Sequence, residues 1–167
     1  MLALKIIDIK DFMNQLLIKT TFDSFEIVEA DITTFNTFSI DGKLRKDFFD
    51  TDTCDMLDKN GISYSLWKEI RPYCYSIIRG KRTPLSFKMI FQLPARQMHA
   101  ILDTPDNTLT PELISGMFLN LHYKNNELFC TTGISLRTFI PTKAPEHLWD
   151  AAVLDFLRRK HILFEQM

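Results

Sequence analysis

Apolar residues along this chain recur at two spacings, near two and near three to four, and each spacing marks a different kind of element. "LALKIID" alternates and predicts a strand. In "DIKDFMNQLLIKTTF", Ile9, Phe12, Met13, Leu16 and Leu17 stand at helical spacing behind a capping Asp8. "FEIVEADITTFNTFSIDGKLRKDFF" is rich in Phe, Ile, Val and Thr. Broken at "AD" and at the turn signal Asp41–Gly42, it predicts two or three antiparallel strands. "DTDTCDMLDKNG", Asp50 to Gly61, predicts a solvated acidic surface loop.

A helix from Ser65 to about Arg79 would present Trp67, Ile70, Cys74, Ile77 and Ile78 on one face, kinked or restarted at Pro72 and stopped at Gly80. "LSFKMIFQL" then predicts a strand, "PARQMHAILD" a short helix opened by Pro94, and "TPDNTLTP" a loop. "MFLNLHYKNNELFCTTGISLRTFI" predicts a hairpin, with a third strand set off by Gly133 as an alternative. The last helix, "APEHLWDAAVLDFLRRKHIL", carries Leu148, Trp149, Ala152, Val153, Phe156 and Leu157 on its apolar side.

In order, these elements give strand, helix and meander twice, from 2 to 49 and from 85 to 140, with a helix between the halves and a helix at the end. The expected fold is a single α+β domain over residues 1–167, an antiparallel sheet of about six to eight strands packed by four helices, with duplicated halves at 1–50 and 84–141. A unit of this kind repeated twice is similar to one domain of the DNA sliding clamps, a likeness of architecture alone. More specifically, Ile32 to Gly42, Trp67 to Pro72, Ile78 to Lys88 and Cys130 to Arg137 resemble stretches of an uncharacterised protein family of clostridial-type bacteria. That family has no assigned activity to carry over.

Composition supports one domain. At 167 residues, 46% hydrophobic and 25% charged, the chain has the make-up of a soluble globular protein, and its 14 Phe against 5 Gly predict an aromatic core. No apolar run approaches membrane-spanning length, and the N-terminal stretch has Lys and Asp where a signal peptide needs apolar residues, so no membrane association and a cytoplasmic location are expected. Cys54, Cys74 and Cys130 are widely spaced, and His99, His122, His147 and His161 stand at no metal-ligand spacing; neither a disulfide framework nor a metal or other cofactor is expected. The DxD spacing after Asp50 fails as a calcium loop, because Asp55 and Gly61 occupy the positions that need Gly and Glu.

Charge segregation is the strongest functional signal. From Ile70 to Leu102 there is no acid, while Arg71, Arg79, Lys81, Arg82, Lys88 and Arg96 give +6 in a chain whose net charge is −1. On an unbroken helix Lys68, Arg71, Tyr75 and Arg79 form a stripe opposite Trp67, Ile70 and Cys74, and Lys81 and Arg82 follow on a Gly-containing turn. Guanidinium forks suit phosphate oxygens, and an aromatic ring suits a base. "GKRT" lacks the upstream Gly of a nucleotide-binding P-loop. "LRRKHI" near the end is read as completing a helix rather than as a second patch.

These six residues, Lys68 to Arg82, are the candidate anion-binding site. The expected function is a non-enzymatic binding module for a polyanion, foremost nucleic acid. A self-associating, clamp-like assembly subunit and an enzyme with dispersed catalytic groups are the alternatives. Exposed Phe side chains would favour assembly; a pocket holding a perturbed acid or histidine would favour an enzyme.

Overall fold

The computed structural model describes residues 1–107 and 109–167. The first alternating run forms β1 (Ala3–Ile6), and Asp8 starts α1 (Ile9–Leu17) by accepting from the Asp11 amide at 3.0 Å. The Phe-, Ile- and Thr-rich stretch gives β2 (Glu26–Thr33) and β3 (Thr37–Asp41). After α2 (Thr51–Lys59) and α3 (Trp67–Ile78) come β4 (Ser86–Gln92) and α4 (Ala95–Leu102). The hairpin β5 (Ile114–Lys124) and β6 (Glu127–Leu136), α5 (Ala144–Arg159) and β7 (Phe164–Gln166) complete the chain.

Among the described residues this is an α+β fold of five α-helices and one antiparallel sheet of seven strands, in the order β3-β2-β4-β5-β6-β1-β7. Pairing puts Ile27 opposite Phe91, Ala30 opposite Met89 and Ile32 opposite Phe87, and continues to Leu119, Leu121 and Tyr123 of β5. All of these are buried, whereas their neighbours Lys88, His122 and Lys124 on the other face are exposed, as the period of two requires. Phe12, Leu16, Trp67, Val153 and Leu157 bring α1, α3 and α5 into the same core.

The aromatic core is centred on Phe22, whose ring lies 5.4 to 6.1 Å from those of Phe12, Phe25, Phe91 and Phe156. Trp67 meets Phe91 edge-on at 5.1 Å, and its indole N–H donates to the Leu16 carbonyl at 2.9 Å. One side chain thereby ties α3 to both α1 and the sheet, with its polar atom satisfied. Ile70, Ile77 and Ile78 pack against this core while remaining partly exposed. Pro72 lies within α3, which runs as one helix through it.

Some expectations are corrected. Asp50 to Gly61 is not a loop: Asp50 accepts from the Thr53 amide at 2.7 Å and starts α2, with Asp52 in its first turn and Lys59 in its last. Those charges complement the helix dipole, so an acidic stretch that reads as solvated chain folds as a cap and a first turn. The β2–β3 turn is at 34–36, so "AD" lies inside β2. Gly42 instead crosses the start of β2 so closely that a Cβ there would meet the Ile27 carbonyl at 1.8 Å. β6 continues through Gly133 without a break, and β7 follows a final helix that ends at Arg159. The loop expected from Thr104 to Pro111 includes Thr108, which lies outside the described residues.

The two strand-helix-meander units also pair differently. β4 lies directly beside β5 of its own unit, whereas β1 is separated from β2 and pairs with β6.

Candidate functional site

α3 carries the predicted cationic stripe, and the structure divides it. Arg71 is not free. Its Nε and Nη2 donate to the two carboxylate oxygens of Asp23 at 2.9 and 3.0 Å, and Nη1 donates to the Ile18 carbonyl at 3.1 Å. The guanidinium thus neutralises an acid and satisfies a carbonyl left over at the end of α1, which removes Arg71 from the anion-binding set. Lys68 is exposed at the first turn of α3, eleven residues before Arg79 and so roughly 16 Å away along the helix. Tyr75 is 38% exposed.

At the other end of α3 the chain leaves the helix at Arg79 and turns at Gly80, whose φ of +143° suits glycine. That turn places Lys81 and Arg82 at the mouth of a cleft of about 460 Å³ between α1, the end of α3 and the start of β4. Its floor is apolar, built by Met13 and Leu17 of α1, Ile78 of α3 and Phe87 of β4. Phe87 is held flat against Tyr123 at 5.2 Å, and the Tyr123 hydroxyl donates to Asn126 Oδ1 at 3.1 Å, so the wall formed by the β5–β6 turn is fixed.

Lys10 of α1 completes the rim. Sequence reasoning missed it, because it stands some seventy residues away on a helix whose charges look like any solvated face. No acid is among the residues that line this cleft, although the adjoining hollow that shares Lys10, Met13 and Leu17 with it carries Asp8 and Asp11; among the described residues no carboxylate lies within 4.0 Å of Lys10, Arg79, Lys81 or Arg82. The structure therefore brings together Lys10, Lys81 and Arg82, with Arg79 one residue before the turn, around an apolar recess. Lys68 and Tyr75 lie on the preceding helix rather than in its lining.

A second group of polar residues occupies the opposite end of the sheet. Glu26 opens β2 and pairs with Gln92 at the end of β4, five residues from Phe87 and so roughly 16 Å from the cationic cleft. Its side chain is buried at 4% exposure, and burial pushes its carboxyl up to about 7. The buried thiols of Cys74 and Cys130 are pushed up to about 12 for the same reason, which makes both poor nucleophiles. Among the described residues no cluster of three or more His, Cys, Asp or Glu is placed to hold a metal ion, and no helix is long and apolar enough to cross a membrane.

Residues 15–165 match the sequence profile of a family of unknown function, DUF5721, and the chain belongs to that family. No curated protein and no solved structure matches the chain significantly.

Proposed function

We propose that the protein is a non-enzymatic binding module for nucleic acid, acting through the cationic cleft. The observation that carries this reading is the pairing of an apolar recess with three unpaired cations and no acid in its lining. A single strand offers both halves of the matching chemistry. One unstacked base would enter the recess, and phosphates on either side would meet Arg82, Lys81 and Lys10. Duplex keeps its bases stacked and would engage the rim alone, so single strands should bind more tightly. The test is fluorescence anisotropy of labelled single-stranded and duplex oligonucleotides at low salt. Tighter binding of the single strand supports the reading, and absence of binding by either refutes it.

Self-association is a second reading, favoured by the tip of the β2–β3 hairpin. Phe35 is 87% exposed there, its ring 5.9 Å from that of Phe38 on the edge strand β3. An apolar tip beside an unpaired strand edge is the arrangement that strand-to-strand assembly would cover. Sedimentation velocity separates the two: a concentration-dependent dimer lost on Phe35→Asp and Phe38→Asp favours assembly.

A further inference from the structure

Glu26 has no role in the cationic cleft, yet it is a carboxylic acid buried at 4% exposure beside an open cleft. No side-chain hydrogen bond reaches its carboxyl among the described residues, and its oxygens keep only the contact with solvent that the cleft beside it allows. An acid in that state costs stability whenever it ionises, so a fold retains it at some expense. It is not sealed into the core. Glu26 lines two adjoining lobes of one cleft, about 520 and 580 Å³, which share Glu26, Ala95 and His99. A β-bulge between Ile27 and Glu29 shifts the register of β2 next to it, the kind of irregularity that re-aims a side chain.

The walls have the opposite character. Lys59 from the end of α2 and Arg96 from the first turn of α4 line one lobe, and Lys43 and Arg137 line the other; Glu112 is the one further acid. Among the described residues none of these four cations has a carboxylate within 4.0 Å. α4 begins at Pro94 with no side chain capping it, and Pro94, Ala95 and Arg96 at its start line the lobe together with Lys59.

We propose that this cleft binds a small zwitterion, its basic nitrogen on Glu26 and its carboxylate or phosphate on Arg96, Lys59 and the start of α4. A plain amine would meet Glu26 but also four cations, and a plain anion would leave Glu26 buried and unpaired. Only a ligand carrying both charges satisfies both sets of groups.

The test uses ω-amino acids of increasing chain length, from glycine to 6-aminohexanoate, with alkylamines and alkylcarboxylates of matched length as controls. Binding is read from the carboxyl ¹³C resonance of Glu26 in glutamate-labelled protein. One chain length should shift that resonance and bind about tenfold or more tightly than either matched control. Glu26→Gln should weaken that binding about tenfold or more. Arg96→Ala, which alters an exposed side chain and so keeps the test open if the Glu26 variant fails to fold, should do the same. The proposal is overturned if no member of the series moves the Glu26 resonance, if a matched control binds as tightly, or if Arg96→Ala leaves affinity unchanged.

Discussion

Arg71 of α3 and Asp23 of the α1–β2 connection are joined by two parallel hydrogen bonds, at 2.9 and 3.0 Å, with both side chains less than one-fifth exposed. This pairing decides what Arg71 is for. Removing the guanidinium leaves the partly buried Asp23 carboxylate without its donor, while the exposed Ile18 carbonyl can turn to water. Arg71→Ala should therefore lower unfolding stability by about 2 kcal/mol in urea titration. It should leave affinity for nucleic acid within about twofold once the protein is folded. A larger loss of affinity with no loss of stability would return Arg71 to the binding surface.

Trp67 tests the core. Fully buried, edge-on to Phe91 and bonded to the Leu16 carbonyl, it fills the junction of three elements. Trp67→Ala should cost about 3 to 5 kcal/mol and Trp67→Phe about 1 to 2, since the second keeps most of the ring and loses the hydrogen bond. Equal costs for the two would mean that the hydrogen bond, rather than the packing, holds the junction.

Glu26 gives the protein a pH dependence of definite sign. Its folded value of about 7 lies above the ordinary 4.5, so the folded state holds the proton more tightly than the unfolded chain. The stability this supplies is complete below about pH 4.5 and is lost as pH rises through 7. Discounted for the open cleft beside it, the loss should be on the order of 2 kcal/mol. The groups around it are His99, Arg96 and Lys59 on one side and Lys43, Tyr64, Glu112 and Arg137 on the other. Denaturant titrations at pH 5 and pH 8 should differ less for Glu26→Gln than for the wild type, and an unchanged difference would assign the dependence to another group.

Much of the fold was legible in the chain because it is written in local periodicity. The Asp8 cap and its helix, the strand before Pro94 and the β5–β6 hairpin follow from side-chain spacing, as does the packing face of α3, of which Trp67 and Cys74 are buried and Ile70, Ile77 and Ile78 only partly so. The sequence of α2 reads equally as loop, because Asp and Thr favour both loops and helix starts, and the Asp50–Thr53 contact distinguishes the two. Asp41–Gly42 has the sequence of a turn because a glycine required by close approach to a neighbouring strand looks the same in sequence.

The candidate cleft was legible in part. Lys81 and Arg82 stood out by their run, but the spacing that put Arg71 beside Tyr75 said nothing of Asp23, and nothing in sequence links Lys10 to residue 81. Glu26 looked like one more polar position in a strand; its burial depends on α4 and the segment after α2 closing over it.

The most direct measurement is the salt dependence of single-stranded oligonucleotide binding by the wild type and by a Lys10→Glu, Lys81→Glu, Arg82→Glu variant. With about three phosphates neutralised, affinity should fall with salt at a log-log slope of magnitude roughly 2. All three side chains are exposed and without ion pairs, so the variant should keep its fold and lose the binding. A folded variant that binds as tightly as the wild type, or a wild-type affinity indifferent to salt, would contradict the assignment of the cationic cleft.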